Sequence, residues 1–297
     1  MSEPIVSIII PVYNDLNAIQ QTLAKLEQQS CDQALFEILV VDNGSTDGSI
    51  EWLEQRSDVC LIKEHQRLAS PYSCRNRGIE AASGRYIALL DSTCIPAKDW
   101  VSSAIKYLDE HPSCDLFGGQ VMFNFEDRVT AGKVYDSVTN VQMEYAIKQR
   151  KAAKTANLWV RRNVFSNIGM FEEGVRSGED MRWTGYCSEQ GLLLEYCDSC
   201  TVFKYARSTS ELLKKQIRVG KGQVRLWQEQ GVFKAKFKQA LKKVFPARRK
   251  TVRELAAKSK QVDCRGSLYL RFYLVAYFSG LATLAGNIIG CVSKQRD

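Results

Sequence analysis

Histidine is almost missing from this chain: among 297 residues it stands only at positions 65 and 111. Structural zinc sites draw on histidine or on paired cysteine motifs. The ten cysteines are scattered without a framework spacing, and Cys197-Asp-Ser-Cys200 has no second pair to complete a site. A structural metal centre is not expected, and the cysteines read as reduced, mostly buried thiols of a cytosolic protein. A signal-peptide pattern is also lacking, since Met1-Ser-Glu-Pro leads straight into an apolar run. There is no internal repeat and no low-complexity tract. A glycine-rich, basic phosphate loop after the first apolar run is missing as well, and Pro11-Val-Tyr-Asn-Asp15 stands in its place. That absence argues against a nucleotidyltransferase that makes sugar nucleotides.

What is present begins with an apolar content of 45%, enough for a full core in one large domain or two small ones. Charge is unevenly placed. From Lys204 to Arg265 there are 19 lysines and arginines against four acids, a net of +15, so the rest of the chain carries −7 of the overall +8. A basic segment of this kind seeks phosphates, of nucleic acid or of an anionic membrane surface. Phe233, Phe237, Ala240, Leu241 and Val244 recur at helical spacing with Lys234, Lys236, Lys238, Lys242 and Lys243 between them, a basic amphipathic helix. The 21 residues from Phe272 to Val292 carry no charge, which meets the roughly 20 needed to span a bilayer. Ser279, Thr283 and Asn287 dilute that stretch, so a packed hairpin or re-entrant helix stays open beside a span. Because the basic helix adjoins an apolar segment rather than base-stacking aromatics, a membrane is expected and nucleic acid is not.

The chain alternates strand and helix patterns. Strands are expected from Val6, over Glu37–Asp42, Val59–Lys63, Arg85–Asp91, Leu116–Phe123 and Leu158–Arg161. Helices are expected from Leu16 to Leu26, from Ile50, over Tyr72–Ala82 with Ser83-Gly84 as the C-cap, from Pro96 and Asp99 onward, and around Val134–Lys148. Runs such as Val6-Ser-Ile-Ile-Ile-Pro-Val and Glu37-Ile-Leu-Val-Val are apolar throughout, as in parallel strands covered by helices on both faces. The fold class is therefore α/β, one mostly parallel twisted sheet with helices on both sides. Polar residues fall at the carboxyl ends of the strands, where such sheets bind ligands. Asn43-Gly44 with Ser45 or Asp47 would equally make an ordinary strand-to-helix turn.

Taken together, Val6–Asn14 and Glu37–Ser49 resemble the opening of family 2 glycosyltransferases, and later segments extend the resemblance over roughly the first 220 residues. It implies a Rossmann-like GT-A fold over 1–220, with a nucleotide-binding half near 1–123 and an acceptor half near 124–220; the patterning described above makes 221–297 a membrane-associating segment. It implies an inverting transferase that moves a sugar from a nucleoside diphosphate sugar, a UDP-sugar by this reading, to a hydroxyl acceptor; the basic and apolar C-terminal segment adds the expectation of a saccharide or lipid-linked acceptor at the cytoplasmic face of a membrane. By the same comparison Pro11 and Tyr13 lie at the base, Tyr13 stacks on it, Asp42 bonds it and Arg75 helps read it. Asp91 matches the first position of the family's Asp-x-Asp motif, but Thr93 replaces the second. Lys204 stands where many relatives carry a metal-ligating histidine. Magnesium or manganese on Asp91 and an ammonium substituting for the ion are thus both open. Glu179-Asp180 matches a pair facing the acceptor, with Asp180 as general base, and Trp183 is placed to stack on a sugar. A catalytically inactive nucleotide-sugar-binding module is the alternative that Thr93 raises.

Overall fold

An unbroken apolar run cannot face water on either side, and the run from Val6 forms β1 (Val6–Val12), in which only Pro11 is less than fully buried. The structure, a computed structural model, describes residues 3–68, 70–126, 128–175, 177–259 and 262–293. Residues 1–2 and 294–297 of the expected spans, and Lys260 of the basic stretch, lie outside the described residues. After β1 come α1 (Leu16–Leu26), β2 (Phe36–Asp42), α2 (Ser49–Leu53), β3 (Cys60–Lys63), α3 (Pro71–Ala81) and β4 (Tyr86–Leu90). Then follow β5 (Cys94–Pro96), α4 (Trp100–Glu110), β6 (Leu116–Asn124), α5 (Ala131–Thr139), α6 (Met143–Arg150), β7 (Asn157–Arg161), α7 (Arg162–Ile168), α8 (Glu179–Glu189) and β8 (Leu194–Tyr205). The last elements are α9 (Thr209–Glu229), α10 (Phe233–Leu241), α11 (Arg249–Ala256) and α12 (Gly266–Ser293).

The eight strands form one mixed sheet in the order β3-β2-β1-β4-β7-β6-β8-β5. β1 pairs in parallel with β2 and β4, and β2 with β3, whereas β7 runs antiparallel to β4 and β6, and β5 antiparallel to β8. Register does functional work here. Val12 lies opposite Asp42, so both central loops leave the sheet at one edge, and Cys94 lies opposite Lys204.

Two compact units divide the chain: 1–122 with 141–204, and 123–140 with 205–297. This partition differs from the boundary expected at 220, which would cut α9 in its middle. The first unit holds the sheet's core. Its helix α1 buries Ile19, Leu23 and Leu26 at helical spacing, each worth about 1.5–3 kcal/mol. The helix from Tyr72 does not end in a glycine cap, because Ala82 is extended. Gly84 is needed for another reason: a Cβ there would sit 2.6 Å from the Ser7 backbone nitrogen. Pro96 belongs to β5 rather than opening a helix, and Asp99 precedes α4 without a capping side-chain bond. The polar helix expected over Val134–Lys148 is two helices, α5 and α6. Between them Val141 takes a left-handed φ of 36°, a conformation that no helix continues through. All ten cysteines are unpaired, and six are buried.

In the second unit α9 and α12 approach closely. A Cβ on Gly220 would lie 2.2 Å from the Thr283 carbonyl oxygen, and one on Gly286 would lie 2.1 Å from that of Ile217. Ser279, Thr283 and Asn287, four apart on α12, are buried as a polar stripe. Thr283 Oγ1 donates to Gln216 Oε1 at 3.1 Å, and Asn287 Nδ2 donates to the Gly220 carbonyl at 2.8 Å. Val134 and Val138 of α5 share a core with Leu212, Val252, Phe272 and Val275. Asp136, wholly buried, accepts from the Arg207 backbone N–H at 3.1 Å and faces the Arg207 guanidinium and Lys215.

Candidate active site

The tips of β1 and β2 are tied by reciprocal bonds. Asn14, at a left-handed φ of 48°, accepts from Thr46 N–H at 2.7 Å and donates its own backbone N–H to Ser45 Oγ at 2.9 Å. Asp47 Oδ2 accepts from the Leu16 N–H at the start of α1. Asp42 is fully buried, and its Oδ2 accepts from the backbone N–H groups of Gly44 and Ser45 at 2.8 and 3.0 Å. Its Oδ1 is buried with no partner among the described residues. An orphan acceptor costs about 1–3 kcal/mol unless a ligand meets it. Tyr13 stands beside this pair with 54% of its surface exposed, a free ring face, and Pro11 is half-buried.

Arg75 projects from α3 and is 97% buried. It donates to the Pro71 carbonyl at 3.2 Å and to Asp91 Oδ1 at 2.8 Å, and its Nε is buried without a partner among the described residues. Its guanidinium also lies over the Tyr72 ring, 5.4 Å from the centroid. The other oxygen of Asp91 takes Lys204 Nζ at 3.3 Å, and that ammonium also donates to Thr93 Oγ1. The β5–β8 register brings Lys204, itself buried, to the strand tip where Thr93 stands. The ammonium faces the Cys94 sulfur at 3.6 Å. Burial pushes that thiol up to about 11 against the pull of Lys204, so it stays a neutral neighbour. Ser92 donates to Asp15 Oδ2 at 2.8 Å; burial, foremost, raises the Asp15 carboxyl.

The loop before α8 is sewn to α3. Asn76 exchanges two bonds with Phe171, Ser70 Oγ donates to the Val175 carbonyl, and Gly174 N–H donates to Ser73 Oγ. This stitching sets Asp180 in the first turn of α8, where Oδ1 accepts from Tyr72 Oη at 3.1 Å and from the Met181 N–H at 2.9 Å. Its Oδ2 has no partner among the described residues. Tyr72 escaped the sequence reading, yet it joins Arg75 to Asp180. Burial, then the Asp180 charge, pushes its phenol well up, so it remains a donor. Its only sequence signal was its place one residue after the N1 proline of α3.

Two expected site residues have other duties. Trp183 does not face a sugar: it is 4% exposed, its indole N–H donates to the Gly169 carbonyl, and its ring stacks on Phe165 and packs on Phe171. The aromatics that bury it come from α7 and the loop after it rather than from α8, so its own helix gave no core stripe. Glu179 is likewise buried, with its oxygens held by the Glu172 N–H and the Arg182 guanidinium. It shapes the loop beside Asp180 and presents nothing to a substrate.

Comparison with known proteins fits this geometry. The profile described as "Glycosyl transferase family 2" matches residues 7–176, more than half the chain. The chain is 40% identical over 229 residues to "Glycosyltransferase AglE" of Haloferax volcanii, covering 75% of this chain and 74% of that one. It is 35% identical over 130 residues to "Uncharacterized glycosyltransferase YfnE" of Bacillus subtilis, covering 41% of this chain and 32% of that one. Among solved structures it superposes on TarS 1-349 of Staphylococcus aureus in complex with UDP-GlcNAc, with a TM-score of 0.53 at 20% identity over 72% of this chain and 65% of that one. It also superposes on the mannosyltransferase PcManGT of Pyrobaculum calidifontis in complex with GDP-Man and Mn2+, with a TM-score of 0.56 at 16% identity over 100% of this chain and 76% of that one. With the profile match over its sheet-forming half and a 40% identical relative, the chain is a glycosyltransferase that belongs to glycosyl transferase family 2.

Proposed function

We propose that this enzyme inverts a sugar's anomeric carbon as it moves the sugar from UDP to a hydroxyl of a saccharide or lipid-linked acceptor. One observation carries the reading: a continuous line of contacts runs from Lys204 through Asp91, Arg75 and Tyr72 to Asp180. Cations stand at one end and a carboxylate oxygen without a partner at the other, as a reaction that sheds an anion and needs a base requires. The Asp42 Oδ1 acceptor suits the ring N–H of a uracil, Tyr13 suits its face, and Arg75 lies within the same cluster. In the reaction the acceptor O–H gives its proton to Asp180, its oxygen bonds the anomeric carbon, and the carbon–phosphate oxygen bond breaks. The electron pair leaves with the nucleoside diphosphate. A single carboxylate acting on the acceptor delivers the oxygen opposite the leaving group, hence inversion.

Thermal unfolding against a panel of UDP- and GDP-sugars tests the donor. A ligand at 100 times its Kd stabilises the fold by about 2.7 kcal/mol. For the first unit this is a rise of several degrees. A UDP-sugar is expected to give the largest rise; a larger shift with a GDP-sugar would replace the base assignment.

The second unit supports a membrane partner on the cytoplasmic face. Gly266–Val292 is long and apolar enough to cross a bilayer by length and composition. Its polar stripe, however, is bonded to α9, which carries Lys214, Lys215, Arg218, Lys221 and Arg225. Crossing would drag those charges into hydrocarbon or strip the stripe of its partners. The opposite face shows Leu270, Leu274, Phe278, Ile288 and Val292 exposed. Tyr269, Tyr273 and Tyr277 donate to the carbonyls of Arg249, Ala247 and Val244, pinning the basic segment to the same helix. We therefore place α12 in the plane of the interface with the α10 lysines at the headgroups. Full-length protein is expected to sediment with phosphatidylserine vesicles. Reversing Lys234, Lys236, Lys238 and Lys242 to glutamate should weaken that binding by on the order of 10²-fold or more, at about 1 kcal/mol per basic side chain. Binding indifferent to this change and to salt would remove the anionic surface as partner.

A further inference from the structure

The mannosyltransferase above, similar in fold, is seen with Mn2+, and the strand tip at Asp91 is where this chain would hold a divalent ion. Its donor set does not fit. Hard divalent cations take several oxygen ligands, carboxylates above all. Here Asp91 is the lone carboxylate of the pair, and each of its oxygens already receives a cation, Arg75 at 2.8 Å and Lys204 at 3.3 Å. The hydroxyl of Thr93 accepts from the same ammonium. No three metal-ligating side chains cluster anywhere among the described residues. A divalent ion on Asp91 would have to displace Lys204 from a buried site or share a carboxylate with it at close quarters.

Resting on the donor reading above, we propose that the Lys204 ammonium, held by Asp91 and Thr93 and flanked by Arg75, takes the place of the metal. It neutralises the diphosphate as the carbon–oxygen bond breaks. Lysine is a point-charge phosphate binder with three donors. Asp91, Thr93 and the Cys94 sulfur fix the aim of the ammonium, and with Arg75 it sets two cations against one carboxylate, a net positive charge at the strand tip. Asp91 is thus a positioning residue for two cations rather than a metal ligand. The side chains match this trade residue for residue: where the second Asp-x-Asp carboxylate and the histidine would have met around an ion, a hydroxyl and an ammonium bond each other.

Calorimetric titration of the full chain with UDP and with GDP tests this, in EDTA and in manganese. The nucleotide that binds should do so with equal affinity in both buffers, and sugar transfer should persist in EDTA. Lys204→Met, close in shape, should weaken nucleoside diphosphate binding by about 10- to 10²-fold, the scale of one charge-assisted hydrogen bond. Its affinity for the bare nucleoside should stay within about twofold, which also reports an intact fold. Lys204→Arg should recover most of the loss. Manganese strengthening wild-type binding tenfold or more, or Lys204→Met binding like wild type, overturns the lysine while leaving the donor reading in place. Failure of both nucleotides to bind in either buffer overturns the donor reading and the lysine with it.

Discussion

Asp180→Asn is expected to lower transfer by about 10²- to 10⁴-fold while donor affinity stays within about twofold, the signature of a lost general base. The amide keeps the shape of the side chain and can still accept from Tyr72 Oη and the Met181 N–H through its carbonyl oxygen. What it loses is the partnerless Oδ2 and the capacity to take the acceptor's proton. Rapid-quench transfer assays beside calorimetry separate the two effects. Turnover near that of wild type would remove Asp180 from the mechanism. An equally slow wild type that binds donor tightly would favour the inactive binding module. A fall in donor affinity matching the fall in rate would instead place Asp180 at the donor, a role that its distance along the contact line from Lys204 argues against.

The largest expected stability change lies at Asn157. Its amide is wholly buried and saturated: Oδ1 accepts from the indole N–H groups of Trp100 at 3.0 Å and Trp159 at 3.3 Å, and Nδ2 donates to the carbonyls of Gln120 and Cys200. One side chain thereby joins β6, β7, β8 and α4. Asn157→Leu keeps the volume and orphans four polar groups. Each costs about 1–3 kcal/mol when buried and unmet, so a loss of at least about 4 kcal/mol is expected, a large share of a typical 5–15 kcal/mol. Urea unfolding gives the midpoint shift, and a loss below about 1 kcal/mol would mean that the network is slack. Because β8 carries Lys204, transfer should fall in the same variant even below its melting temperature.

The parts of this site legible in the sequence were those that depend on local pattern. Continuous apolar runs gave β1, β2 and β4, and the first polar residue after each run gave the tips at Tyr13, Asp42 and Asp91. Side chains whose role depends on distant partners were not legible in this way. Trp183 meets Phe165 and Phe171 from a preceding helix and loop, and Tyr72 meets Asp180 across 108 residues. Their neighbours are fixed by topology, which no window of the chain records. The opposite case is instructive too. Ser279, Thr283 and Asn287 diluted the hydropathy of the last helix, and their four-residue spacing was a face all along. The larger part of the second unit begins where the basic stretch does, but charge marks surfaces and so gave no sign of α5, which joins that unit through the apolar Val134 and Val138.

That placement of α5 bears on how the protein is made. Val134 and Val138 must find Phe272 and Val275, which leave the ribosome nearly 140 residues later, a wait on the order of ten seconds at typical synthesis rates. During it the sheet-bearing unit can close, since all of its segments lie before residue 205. The half-built neighbour meanwhile shows an uncovered apolar helix to water. Removing α12 to test the proposed membrane role would then prolong that exposed intermediate indefinitely, so loss of the chain to aggregation or proteolysis would mask any change in where it resides.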